Sequence, residues 1–141
     1  MTRGKERALR LALIGVLALS SCSFGASTHL AEEAVTEFHR LYNAESYQTI
    51  YSAADPAFRN TMTESDYVTF MSAIQRKLGP HKSSTSAGWR VSSGLNGTQV
   101  SLNYKSEFAA GTATEQFLYR ISSGKPNLVG YNINSPLLII K

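Results

Sequence analysis

The feature that most limits how this chain can fold is a change of hydrophobic period at Gly79-Pro80. Before it, apolar residues recur every three or four positions; after it, they alternate. Leu30, Ala34, Val35, Phe38, Leu41 and Tyr42 fall on one face of a helix starting near Thr28, with Glu32, Glu33 and Glu37 toward the amino end, where the helix dipole favours them. A shorter helix carries Tyr47, Ile50 and Tyr51 and breaks at Asp55-Pro56. A third begins at Thr63 and Asp66, a capping-box-like pair, presents Tyr67, Phe70, Met71, Ile74 and Leu78, and stops at Gly79-Pro80.

Beyond that point Ser83 to Ala87 is polar and reads as loop or edge strand. Trp89 and Val91 then alternate with polar residues up to a hairpin signal at Asn96-Gly97. Val100, Leu102 and Tyr104 share one face, and so do Phe117, Tyr119 and Ile121 after a turn at Ala110-Gly111. Val129, Tyr131 and Ile133 alternate between a turn at Ser123-Gly124 and a break at Ser135-Pro136. Helices followed by a meander give an α+β domain, with the amino-terminal helices packed on a curved, four-stranded antiparallel sheet. The final run, Leu137 to Ile140, is expected to complete the last strand, or else to form an edge that pairs with another subunit and makes a homodimer.

The amino end obeys different rules. Met1 to Arg10 is basic, and Leu11 to Leu19 is an uncharged apolar run. A membrane span needs about 20 such residues, so this run suits the core of a signal peptide. Leu19-Ser20-Ser21-Cys22 resembles the lipobox of bacterial lipoproteins: an apolar residue, two small residues, then the cysteine. The resemblance implies cleavage before Cys22 and a diacylglyceryl group on its thiol, anchoring the protein stably once a second or third acyl chain is present. Cys22 is the only cysteine, so an exported chain has no disulfide partner for it. Ser23 is not the aspartate that retains many such proteins in the inner membrane, so the expected location is the periplasmic face of the outer membrane. The expected organisation is a signal peptide over 1–21, a lipidated cysteine with a short tether over 22–27, and one domain over 28–141.

The leader also explains the net charge of +4: from Cys22 onward there are 10 basic and 9 acidic side chains. A near-neutral mature chain without a cationic stripe is not a nucleic-acid binder.

Scattered aromatics give a second resemblance. Phe38-x-x-Leu41-Tyr42-Asn43, Tyr47-x-x-Ile50-Tyr51, Phe58-Arg59, Lys77-Leu78-Gly79, Trp89, Tyr104, Glu115-x-Phe117 and Gly130 to Ser135 look like small uncharacterised bacterial lipoproteins. The resemblance implies a cystatin-like or NTF2-like cone, a shape that hosts enzymes, binding modules and assembly parts alike.

No phosphate loop, dinucleotide fingerprint, nucleophile elbow or cysteine–histidine metal spacing is present, so no cofactor and no metal is expected. His29 and His39 would lie about 80° and about 15 Å apart on one helix and cannot share an ion. His81 reads as a loop residue, and all three histidines as solvated or capping groups. Glu115 is the one carboxylate on an inward strand face, a candidate acid or base or ligand-orienting group. Its plainer reading is a rim position or a salt bridge with Arg90 or Lys105. With Tyr42, Tyr104 and Tyr119 it would line a pocket. The leading expectation is a non-catalytic, lipid-anchored domain that binds a membrane-proximal protein or a small apolar ligand. The alternatives are an NTF2-like enzyme using Glu115 and a dimeric envelope-assembly component.

Overall fold

The computed structural model describes residues 21–140; the expected signal peptide, with Leu19 and Ser20 of the lipobox, lies outside the described residues. Among the described residues, five helices and four strands follow in order: α1 (Ser21–Asn43), α2 (Tyr47–Ala53), α3 (Pro56–Arg59), α4 (Glu64–Leu78), β1 (His81–Gly94), β2 (Gly97–Phe108), β3 (Thr112–Ser122), β4 (Lys125–Asn134) and α5 (Pro136–Ile139). The strands form one antiparallel sheet in the order β1-β2-β3-β4. This is the α+β arrangement, with the sheet open at both edges.

α1 starts earlier than the Thr28 cap suggested. Ser23 to Ser27, expected as a tether, are helical, and the Ser27 and Thr28 hydroxyls bond back to the carbonyls of Ser23 and Phe24 at 3.1 and 3.0 Å. These bonds engage the carbonyl four residues back, which is helix-interior behaviour and not capping. Ala31, Val35, Phe38 and Tyr42 form the buried face, and the helix lies against all four strands. Its end is closed by the Ser46 N–H, which donates to the Leu41 carbonyl, with Glu45 at φ 55°.

Asp55 caps α3 by accepting from the Ala57 N–H, with Pro56 at the first helical position. Thr63 caps α4 in the same way through the Asp66 N–H, while the Asp66 carboxylate accepts from the Thr63 hydroxyl. Tyr67, Met71, Ile74 and Leu78 of α4 are buried; Phe70, expected beside them, is 43% exposed because one turn offers room for only part of the apolar set. Gly79 ends α4 at φ 74°, where an added Cβ would come within 2.9 Å of the Ala109 Cβ.

On the sheet, Ala113, Glu115, Phe117, Tyr119 and Ile121 of β3 and Val100, Leu102, Ser106 and Phe108 of β2 point into the core. Ser123 and Gly124, both at positive φ, close the β3–β4 hairpin in the mirror-image turn that suits strand twist. The polar run Ser83 to Ala87 is edge strand. β1 also begins two residues before it, so His81 is a strand residue and not a loop one. Both strand readings of Leu137 to Ile140 are corrected: Ser135 caps a short helix with Pro136 at its start, and the Lys77 ammonium binds the Leu138 and Ile140 carbonyls. Among the described residues, no helix is long and apolar enough to cross a membrane.

Candidate functional site

Four strands and α1 bring a polar cluster into the core near one end of the sheet. His39 follows Phe38 on α1 and shares its buried face with Val35 and Tyr42, one turn away in each direction; it is 6% exposed. Strand alternation turns Glu115 inward between Ala113 and Phe117, leaving it 2% exposed. Ser106, opposite Ala113 on β2, is inward too. Tyr131 on β4 stands opposite Phe117. His81 opens β1, held in register by Asn43 at the end of α1, whose side chain accepts from the His81 N–H at 2.8 Å and donates to its carbonyl at 3.0 Å.

Glu115 is the centre. Its Oε2 accepts from His39 Nε2 at 2.9 Å and from the Ser106 hydroxyl at 2.5 Å, and its Oε1 accepts from the Tyr131 hydroxyl at 2.7 Å. Burial pushes its carboxyl pKa up, but His39, Ser106 and Tyr131 together outweigh burial and hold it below the ordinary carboxylate range. The same carboxylate raises Tyr131 well above a free phenol, after burial, which is the larger cause. An ionised carboxylate only accepts hydrogen bonds, and that fixes the direction of the rest. Ser106 donates to Glu115, so it accepts from Ser84 (2.8 Å), and Ser84 in turn accepts from His81 Nε2–H (2.7 Å). The network thus assigns the His81 proton to Nε2. It closes on itself, because the His81 ring lies on the His39 ring at 3.6 Å, parallel to within 3°. Burial and the neighbouring His39 push His81 down to about 4, against the pull of Glu115, so at neutral pH this imidazole is uncharged.

Above the two imidazoles opens a cleft of about 380 Å³. One wall is α1 (Glu32, Val35, Thr36, Arg40, Asn43); the other is Lys82, Ser84 and Tyr104 of β1 and β2. His39 and His81 make its floor. The lining is evenly mixed between polar and apolar surface, and its polar part carries both signs of charge, with Arg40 already paired to Glu37 at 2.6 Å.

Of the residues expected to line a pocket, Tyr104 does. Tyr42 and Tyr119 are core, 1% and 4% exposed, and the Tyr42 hydroxyl is spent on the Gly79 carbonyl. Glu115 lies behind the cleft, and its partner is His39 and not Arg90 or Lys105. A carboxylate held ionised by three donors is a poor acid and a poor base; what it does here is orient His39. His39, expected to be solvated, is buried, and His39, His81 and Glu115 bring one ligand-type atom each within 4.8 Å of one another. Sequence reasoning missed His39, His81, Ser84, Ser106 and Tyr131 as one site. The available signal was the spacing Val35, Phe38, His39, Tyr42, which puts a histidine on an otherwise apolar stripe. His29 stays apart on α1, exposed beside Glu33 at 3.6 Å. No protein-family model and no curated protein matches the chain.

Proposed function

We propose that this chain is a lipid-anchored protein of the bacterial envelope, carried at Cys22 on the periplasmic face of the outer membrane, and that its domain is a non-catalytic binding module of the cystatin-like or NTF2-like kind. The observation that carries the binding reading is the open 380 Å³ cleft floored by two imidazoles, His39 buried and His81 half-buried, wired to Glu115. Hydrogen-bonding groups on both walls, set among apolar surface from Val35 and Tyr104, suit a small ligand that carries polar groups rather than the purely apolar one expected from the sequence. α1 runs unbroken from Ser21, so His39 stands about 25 Å along the helix from Cys22. A cleft at that distance serves objects close to the bilayer.

Two measurements test this. Metabolic labelling with a palmitate analogue should mark the wild-type chain and leave Cys22→Ala unmarked; label on the variant removes the anchor. Native mass spectrometry of the detergent-extracted chain should show a small polar adduct, and Thr36→Trp, which fills the cleft from α1, should abolish it. An adduct that survives Thr36→Trp, or none from fresh membranes, rules out the cleft.

An assembly role has one observation in its favour. β1, an edge strand paired with β2 along its length, has no fully buried residue and exposes Trp89 at 59%. Sedimentation should then give a dimer that Trp89→Ala dissociates; a monomer at high micromolar concentration excludes it.

A further inference from the structure

We infer that His39, His81 and Glu115 form a binding site for a borderline divalent transition-metal ion such as zinc, open to the cleft. The inference rests on the cleft being the binding surface and names what its floor takes up.

The donor set is two imidazoles and one carboxylate, which suits zinc and its neighbours; calcium and magnesium prefer oxygen alone. The three residues come from α1, β1 and β3, far apart in sequence, and converge so that a ligating atom of each lies within 4.8 Å of the others. Around a tetrahedral zinc ion, with bonds of about 2.0–2.1 Å, ligand atoms lie ~3.4 Å apart. His39 Nε2 and Glu115 Oε2, 2.9 Å apart, are already at close to that spacing. From a separation of up to 4.8 Å, His81 must close by up to about 1.4 Å and tilt out of its parallel stack on His39, because in-plane lone pairs of parallel rings do not converge on one point. It sits at the half-buried start of an edge strand, and the tilt gives up its stack on His39 and shifts its edge contact with Phe108, whose ring centroid lies 5.4 Å away.

The surroundings match what metal ligands need. Ser106 and Tyr131 keep Glu115 oriented from behind, and Ser84 holds one nitrogen of His81, the kind of supporting hydrogen bond that fixes a ligating ring. On binding, the ion takes the position of the Nε2 proton of His39, which passes to Nδ1 or to solvent. The fourth position faces the cleft, where water or an oxygen or nitrogen of the bound ligand completes the shell.

The test uses the full, untagged chain in mild detergent, stripped with a chelator and titrated with Zn²⁺ by calorimetry, with Co²⁺ absorption as the geometric readout. The expected result is one ion per chain, four-coordinate cobalt bands, and affinity lowered by roughly 100-fold or more in His39→Ala and His81→Ala. His81→Ala lies at the chain's edge and keeps the test decisive if His39→Ala does not fold. His29→Ala, exposed on the same helix, should bind as wild type. Absence of zinc binding, or binding that survives both His39→Ala and His81→Ala, overturns the inference. Zinc missing from a chain that still carries its organic adduct sinks the metal site and leaves the cleft; zinc retained with no adduct from fresh membranes sinks only the cleft reading.

Discussion

The two ends of β3 are tied to the helical half by one ion-pair-forming contact each, and the two contacts are built differently. Near its start, Glu115 meets His39 of α1 with both side chains almost wholly buried. Near its end, Arg120 meets Asp55 at 2.8 Å, with the Arg120 side chain 24% exposed. Asp55 is already engaged in capping α3, and its own N–H donates to the Leu128 carbonyl of β4, so the second contact ties β3 to a residue that backbone bonding also holds in place. The first contact sits beside apolar packing of the same two elements, Phe38 of α1 against Phe117 of β3 with ring centroids 5.0 Å apart. It consists of titratable side chains that satisfy one another beside an open cleft. Burying an imidazole–carboxylate pair contributes little net stability over apolar packing, so its presence is better explained by what the imidazoles do.

That difference is open to attack by mutation. Glu115→Ala leaves three donors, His39, Ser106 and Tyr131, without their acceptor in the core. The expected loss is about 3–5 kcal/mol in urea unfolding, the cost of breaking a buried pair from one side. Asp55→Ala loses a cap and a pair in which only Arg120 is partly exposed, for about 2 kcal/mol. If the second substitution costs more than the first, the contrast between the two ends is wrong.

Acid separates them further. His81 is held at about 4 in the folded chain against 6.5 when free, so the unfolded chain takes up a proton that the native one refuses. Its contribution is complete above pH 6.5 and is lost progressively as pH falls toward 4. The Glu115 carboxyl, lowered from 4.5, adds stability that is present above that value and disappears as pH falls through its folded pKa. Both slopes have the same sign: in chelator-containing buffer, stability should begin to fall near pH 6.5. His81→Asn should remove the upper part of that fall, while Asp55→Ala should leave it in place. A His81→Asn profile that tracks wild type would show that His81 does not titrate this way.

How much of this was legible in the sequence follows the range of the contacts. Tyr67, Met71, Ile74 and Leu78 announce a buried helical face because each is interpreted by neighbours three or four positions away. Glu115 announces its inward direction by alternation with Phe117 and Tyr119. The site itself joins His39 to Glu115 across 76 residues, and no local period encodes such a meeting. The same limit explains the ends of the chain. Ser23 to Ser27 read as a tether because small polar residues are weak helix formers, yet Ser27 is buried in α1. Leu137 to Ile140 read as strand because four apolar residues in a row carry no period at all, and the Ser135-Pro136 pair, taken only as a break, was also a helix start.

The finest test of the comparison is Asn43. Its amide grips both backbone polar groups of His81 from the exposed end of α1, so Asn43→Ala exchanges two protein hydrogen bonds for water. For exposed groups the expected change in stability is small, within about 1 kcal/mol. Yet those two bonds set where β1 begins relative to α1, and so where the His81 ring lies over His39. If the cluster is a binding device, Asn43→Ala should weaken capture of the cleft's ligand well beyond its effect on unfolding, because binding depends on the position of the His81 ring and overall stability does not. Equal and slight effects on both would mean that the end of α1 merely fastens a strand, and that the two ends of β3 are more alike than their chemistry suggests.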